Sequence, residues 1–285
     1  MISIILILLF VFSVLSVPVC HGVISGLYLY GMKIFPGLFI SFILTNILVR
    51  ILQQKNINNP WILVITGLMT GFPNGAYICS WYNKNNPENR LGDMLAGIIN
   101  IPSPAFLISY VYINILEKCI SLPMFLALTY TPVILCSYMA ILFFRDKDNK
   151  KDNAPHIKND KKLIFHFFEE AVDSSINTAL TLGAYVIIFS VIVNIIMHFS
   201  QSNTAGLLIS YLFEISNGLA IIKNAGIPMN ITVLLDAFGG VCIIMQTKSI
   251  CSSYISIKKY IYQKLVLCIV TLAMTYLLIY VLNIL

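Results

Sequence analysis

Residues 61–82 read WILVITGLMTGFPNGAYICSWY, an apolar run with turn-forming residues at its middle. The run is long enough to cross a membrane, because a spanning helix needs about 20 apolar residues. The sequence Gly71-Phe72-Pro73-Asn74-Gly75 interrupts it, since Pro73 lacks a backbone N–H and both glycines permit turn conformations. The pattern predicts two short helices joined by a turn.

Eight further apolar segments surround this run, and the composition agrees with a polytopic membrane protein. Of the 285 residues 58% are hydrophobic and 11% charged, whereas a soluble domain has about 25% charged residues. This apolar content excludes disordered and disulfide-stapled classes. We assign the net charge of +6 to cytoplasmic loops rather than to a nucleic-acid partner. The other segments are 2–20, 34–52, 91–116, 120–144, 177–199, 205–222, 231–254 and 262–284.

The first of these segments admits two interpretations. It begins at Met1 without a basic region and ends in Val17-Pro18-Val19-Cys20, which matches neither an A-x-A cleavage site nor a lipobox. We expect a retained first helix, with a cleaved signal peptide as the alternative.

A hydrophilic stretch, residues 145–162, divides the chain into a first membrane repeat (1–144) and a second (163–285). The stretch holds seven basic and four acidic side chains. A solvated cytoplasmic linker is the favoured interpretation, and a patch for anionic lipid or a partner protein is the alternative. The run 163–176 after it predicts an interfacial amphipathic helix that leads into the span 177–199.

The two halves share one pattern of interruptions. Each has an ordinary span, a segment broken near its middle (Gly71–Gly75; Glu214–Gly218), a second interrupted segment (Asn100–Pro104; Gly239-Gly240) and an unbroken final span. Paired interruptions at matching positions are typical of transporters built from inverted repeats. We therefore predict two inverted-topology repeats with discontinuous helices.

The loop charges favour segments 61–82 and 205–222 as re-entrant hairpins rather than spans. With both re-entrant, fourteen loop lysines and arginines lie inside and three lie outside, the latter being Lys33, Lys118 and Lys223. If all nine segments span, the ratio is eleven to six, so the positive-inside rule prefers the hairpins. The prediction is about seven transmembrane helices plus two re-entrant hairpins.

The interruptions are the candidate substrate site, because broken helix ends at membrane depth present N–H groups and a positive dipole end to an anionic group. Packing kinks are the alternative. Glu214 is a candidate for a coupling proton or Na⁺, or else a structural cap of its hairpin. Lys248 is a possible anion contact, or else a side chain that reaches the interface. The predicted substrate-binding residues are Pro73, Asn74, Gly75, Asn100, Ser103, Ser216, Asn217, Gly218, Gly239 and Gly240.

Enzyme signatures are missing from the sequence. The four histidines form no H-E-x-x-H, and there is no G-x-S-x-G, Walker A or G-x-G-x-x-G motif. The seven scattered cysteines form no C-x-x-C pair. We therefore expect no catalytic residue, no metal and no cofactor. Asp93 is placed at a loop end and Asp236 near the membrane interface.

At these interruptions the chain resembles a known family. Thr70–Ala76 and Asn100–Phe106 resemble the nucleoside-recognition Gate domain, and nearly the whole chain resembles, in order, the YlbJ-type sporulation integral membrane proteins. Further matching stretches are Phe35–Phe39, Phe213–Gly218 and Phe238-Gly239-Gly240 with Gln246 downstream. The chain departs from the family in its proline-rich Ile101-Pro102-Ser103-Pro104, where relatives tend to have more asparagine and glycine.

The resemblance implies a carrier related to concentrative nucleoside transporters. Such proteins are associated with moving dipicolinic acid across the outer forespore membrane during sporulation, which implies that membrane or the cytoplasmic membrane as the location. Glu214 would repel a dianion unless it is protonated or paired with a cation, so coupling to Na⁺ or H⁺ is open. The alternatives are a carrier of nucleosides or other small solutes, and a non-transporting scaffold that recruits partners through 145–162.

Overall fold

The computed structural model describes residues 2–54, 59–87, 90–144, 161–200, 204–215, 218–219, 229–251 and 254–282, and these contain helices but no strand. Most of the predicted linker, 145–160, lies outside the described residues. The helices are α1 (Ile2–Val14), α2 (Ser16–Tyr28) followed by a π-helical segment (Leu29–Ile34), α3 (Phe35–Gln54), α4 (Pro60–Thr70), α5 (Asn74–Asn85), α6 (Leu91–Ile99), α7 (Pro104–Phe106, continued by the π-helical Leu107–Ile115), α8 (Leu122–Phe144), α9 (Lys161–Ser200), α10 (Thr204–Phe213), α11 (Met229–Phe238), α12 (Gly240–Cys251) and α13 (Ile257–Leu282).

Several helices are long and apolar enough to cross a membrane, which fits an α-helical polytopic membrane protein. Within the described residues five qualify, or six if the bent pair Ile2–Phe12 and Ser16–Ile34 is one span. The predicted total of seven spans stays a prediction, because α3 contributes only the shorter apolar stretch Leu38–Leu52. The five are Leu91–Ile115, Leu122–Phe143, Phe168–Ser200, Thr232–Cys251 and Ile257–Leu278.

The first apolar segment is not the single helix 2–20 that the sequence predicts. The chain bends by 89° between α1 and α2, at the non-helical Leu15. Pro18 is the physical reason, because its ring would clash with the carbonyl of Val14 and it has no N–H to pair with that carbonyl. The helix therefore restarts with Pro18 in its first turn, where no N–H is needed.

The second half begins with one 40-residue helix, α9, in which the predicted helix 163–176 runs without a break into the span 177–199. No proline or glycine lies between Lys161 and Leu182 to end the helix. The exposed Glu170 of this helix forms an ion pair with Arg50 of α3.

Two glycines allow α2 and α9 to pack closely. Gly22 and Gly26 form a G-x-x-x-G pair on one face of α2, and both are buried. A Cβ added at Gly22 would lie 2.5 Å from Cα of Val191, and one at Gly26 would lie 2.9 Å from Cα of Ile187. Small residues at this spacing permit such backbone approach between membrane helices.

Helices α4 and α5 form a hairpin that packs beside α6. The two helices contact each other and both contact α6. The ring of Trp61, in the first turn of α4, stacks on Tyr138 of α8 with centroids 6.4 Å apart. In the turn, Gly71 has φ +72° and the Phe72–Pro73 peptide bond is cis. The hairpin therefore brings its turn to the end of α6, which positions the candidate site.

The turn has no room for a side chain at Gly71. A Cβ there would lie 2.4 Å from the backbone nitrogen of Ser103, in a left-handed conformation that costs a non-glycine residue about 1–2 kcal/mol. We expect Gly71→Ala to destabilise the protein by about 2 kcal/mol or more, measured by thermal unfolding in detergent. Gly31→Ala is the matched control, because its Cβ would meet nothing within 4 Å. Equal melting temperatures of the two variants would contradict the close packing of this turn.

Candidate functional site

The two interruptions of the first half meet in space. The N–H of Phe72 donates to the carbonyl of Ile101 over 2.9 Å. A Cβ added at Gly75 would lie 2.9 Å from the carbonyl oxygen of Ile99 and 3.0 Å from Cα of Asn100. The α4–α5 turn is therefore seated against the broken end of α6.

Asn100 is the centre of a buried hydrogen-bond network. Its Oδ1 accepts from the N–H of Ala76 in the first turn of α5 over 3.2 Å, which supplies the helix cap that Pro73 cannot. Its Nδ2 donates to Tyr260 Oη over 2.8 Å and to Thr247 Oγ1 over 3.2 Å. The side chain is fully buried. The geometry gives Asn100 a structural role and leaves its predicted contact with a solute without support.

The second half has an equivalent meeting of interruptions. Gly239 and Gly240 have φ of +84° and +81°, which interrupts the helix between α11 and α12. A Cβ at Gly240 would lie 3.2 Å from the carbonyl oxygen of Leu212, at the end of α10. Gly218 packs more closely still, since a Cβ there would lie 2.4 Å from Cα of Tyr211. The predicted Ser216 and Asn217 lie outside the described residues.

Asp236, which the sequence placed near the membrane interface, is buried inside the protein one turn before the Gly239 break. It is 1% exposed, and its Oδ1 accepts from the hydroxyl of Tyr211 over 3.0 Å. Its Oδ2 is buried without a hydrogen-bond partner among the described residues.

A cavity of about 470 Å³ opens beside the α4–α5 turn, within the range of roughly 300–1,000 Å³ typical of small-molecule sites. Among its lining residues Lys33 is the one charged side chain, and its Nζ lies 5.6 Å from the centroid of the Tyr110 ring. This cavity combines a cation, aromatic faces and hydroxyl groups. Its wall is formed by Leu29, Lys33, Ile34, Leu38, Ser41, Met69, Thr70, Phe72, Ser103, Ala105, Phe106, Ser109, Tyr110 and Asn114.

Few of the predicted site residues reach this cavity. Ser103 lines it, with Oγ accepting from the N–H of Phe106 over 3.3 Å. Asn74 lies behind the wall, where its Nδ2 donates to Ser41 Oγ over 3.1 Å and its Oδ1 has no partner among the described residues. Lys248 is exposed and does not line the cavity.

Glu214 lies on the other side of Phe72. It is 2% exposed and borders a second, small space of about 20 Å³ together with Gln246. Phe72 lines both spaces, as do Ile34 and Leu38, so the two spaces are neighbours. Sequence reasoning singled out Glu214 but missed Lys33 and Tyr110. In the sequence, Lys33 contributes only to the count of outside loop charges. No residue near it in the chain indicates that it faces Tyr110, which lies 77 residues later.

A polar seam joins α6 to α13 and corrects two assignments. Asp93, assigned to a loop end from the sequence, lies in the first turn of α6 and is 2% exposed. Its carboxylate accepts from the N–H of Ser256 over 2.7 Å and from Lys259 Nζ over 2.8 Å. Gln263 bonds to the N–H of Gly97 and the carbonyl of Asp93, each over 2.7 Å. Lys264, counted above as a cytoplasmic loop charge, is fully buried, which changes the inside-to-outside ratio to thirteen to three.

Among the described residues no group of three or more His, Cys, Asp or Glu side chains is arranged to hold a metal ion. Comparisons with family models, characterised proteins and solved structures give no match to this chain.

Truncating the side chain of Asn100 would leave several buried polar groups without a hydrogen-bond partner. We expect Asn100→Ala to lower the free energy of unfolding by about 3 kcal/mol or more, because each unsatisfied partner costs about 1–3 kcal/mol. Asn85→Ala is the matched control, since Asn85 is exposed and bonds only within its own helix, to the carbonyl of Trp81. Thermal unfolding of both variants in one detergent tests this, and a cost for Asn100→Ala no larger than for the control would contradict the network.

Proposed function

We propose that this protein is a secondary transporter of a small anionic solute, with dipicolinate, a planar aromatic dicarboxylate, as the first candidate. The observation that carries the proposal is the cavity of about 470 Å³ at the interrupted helices, lined by one lysine and several aromatic rings. The resemblance of Thr70–Ala76 and Asn100–Phe106 to the Gate domain motifs supports the substrate class.

The electrostatics of the cavity favour an anion over a cation. Lys33 supplies the one charged side chain on the cavity wall, and Glu214 lines the second space rather than this cavity. The hydroxyl groups of Ser41, Thr70 and Ser109 also line the cavity; each donates its proton to a backbone carbonyl of its own helix, so it would donate to a carboxylate only after rotating. A planar ring would pack on Phe106 or Tyr110, whose own rings lie 5.1 Å apart.

The same aromatic pair supports a nucleoside as the second candidate solute. A base stacks on such rings, and Asn114 and Ser109 at the cavity wall offer groups for its polar edge or for a sugar hydroxyl. A nucleoside carries no negative charge for Lys33 to pair with. The two solutes therefore differ in their dependence on that lysine.

The proposal includes two inverted repeats that move against each other around the cavity. The packing of equivalent elements supports it, since α6 packs on α8 and α13, and α11 packs on α13 and α8. Each interrupted helix thus contacts the final helix of its own half and that of the other. The α4–α5 hairpin, whose turn lies against the break at Asn100, fits a re-entrant element that enters and leaves on one face.

Uptake into proteoliposomes tests the function. We expect purified protein to take up labelled dipicolinate above protein-free vesicles, and Lys33→Gln to reduce that uptake about tenfold to hundredfold. The basis is that a hydrogen bond to a charged group contributes about 1.5–3 kcal/mol. Uridine uptake, if it occurs, should change little in the same variant.

The matched control is Lys258→Gln, which removes an exposed lysine remote from the cavity wall. Lys248→Gln distinguishes the cavity from the anion contact that the sequence suggested on α12. A loss of uptake in Lys248→Gln with normal uptake in Lys33→Gln would place the solute elsewhere. No uptake of either solute by correctly folded protein would refute the proposed substrates.

Thiol labelling tests the re-entrant hairpin. In a protein whose native cysteines are replaced, Asn56→Cys and Asn85→Cys flank the hairpin, and we expect both to react with an impermeant reagent from the cytoplasmic face. Asn149→Cys in the charged linker should react from the same face and Lys118→Cys from the opposite face. Labelling of positions 56 and 85 from opposite faces would show that the segment spans the membrane and would contradict the proposed inverted-repeat architecture.

A further inference from the structure

Lys264 is a charged side chain buried completely in the apolar helix α13. Its Nζ donates to the carbonyl oxygen of Asn100 over 2.5 Å and to that of Ala237 over 3.0 Å. It also lies 5.8 Å from the centroid of the Tyr260 ring. One ammonium group therefore connects a residue of the first half with one of the second.

Both carbonyls are left unpaired by the interruptions of the chain. In a continuous helix the carbonyl of Asn100 would accept from the N–H of residue 104, but that residue is Pro104, which has none. The carbonyl of Ala237 would accept from residue 241, but Gly239 and Gly240, both at positive φ, interrupt the helix between them. Lys264 supplies the donors that these two helix ends lack.

The charge of Lys264 is balanced by backbone dipoles rather than by an acid. Among the described residues it forms no ion pair, because Asp93 is bonded to Ser256 and Lys259, and Asp236 to Tyr211. What faces the ammonium is the C-terminal end of α6 and that of α11, each of which carries partial negative charge. Such paired helix ends with free carbonyls are the ligands that bind a coupling Na⁺ in transporters with interrupted helices.

We infer that the ammonium of Lys264 occupies the place of a bound monovalent cation, so that this chain carries its own cation where a Na⁺ ion would otherwise join the two interrupted helices. Neither the folded state nor solute movement then requires Na⁺ at this position. The statement about solute movement rests on the proposed transport function, while the statement about the folded state does not.

The test uses the full-length protein in detergent, with unfolding followed in NaCl and in choline chloride at equal ionic strength. Wild type and the exposed-lysine control Lys258→Ser should have the same melting temperature in both salts. Lys264→Ser removes the ammonium and leaves space, so in choline its melting temperature should fall by on the order of 5 °C or more. Part of that loss should return in NaCl, because Na⁺ can enter the vacated position.

Lys264→Met tests the loss of the positive charge separately from the loss of side-chain volume. Its side chain fills the position without a charge, so it should be destabilised like Lys264→Ser but gain nothing from NaCl. If Lys264→Ser cannot be purified, the melting temperatures of wild type in the two salts and of Lys264→Met still test the inference. A wild-type protein stabilised specifically by Na⁺, or a Met variant as stable as wild type, would overturn the inference.

The transport arm compares wild-type uptake with Na⁺ and with choline on both sides of the vesicle. Equal uptake is expected, and uptake abolished by removal of Na⁺ would overturn the inference for transport. Absence of uptake in both salts would refute the proposed solutes and leave the stability result intact, so the two failures are distinguishable.

Discussion

The pairing of backbone carbonyls freed inside an apolar environment is the constraint on which the rest of this structure depends. Each interruption that shapes the site also leaves polar backbone groups that cannot reach water, at a cost of several kcal/mol each. Lys264 and Asn100 meet that requirement, one with an ammonium that reaches two helix ends and the other with an amide that caps α5. Each break therefore depends on the buried polar side chain that pairs its freed backbone groups. Through Lys264 these contacts connect α6 and α11 to α13.

This arrangement divides the polar residues between two tasks. Asn100 and Lys264 are engaged with the protein itself, and they form a rigid support beneath the α4–α5 turn. The groups that face the cavity come from the junction of α2 and α3 and from α7, with Lys33 and Tyr110 as the most distinctive. Phe72, at the tip of the hairpin, borders both the cavity and the small space that holds Glu214. A shift of the hairpin would thus change the shape of both spaces together.

Local sequence predicted the parts of the fold that depend on local chemistry. The observed helices stop at Thr70, Ile99 and Phe238, ahead of the predicted interruptions at Pro73, Pro104 and Gly239-Gly240. The same reasoning was incomplete at Pro18, where the proline restarts a helix inside an apolar run that looked continuous. Apolar content marks what can lie in lipid, while proline and glycine mark helix ends only in part, since Pro132 lies inside α8.

The sequence by itself determined that the chain is an apolar helical protein interrupted at particular residues, because composition and proline and glycine chemistry act within a few residues. Only the tertiary structure decided what the polar residues do. Asp93 meets Ser256 and Lys264 meets Asn100 across more than 160 positions, so no local pattern distinguishes a buried bridge from a loop charge. In the same way, Asn100 resembles a solute ligand in the sequence, but the fold surrounds it with Ala76, Thr247 and Tyr260 and leaves the cavity to Lys33.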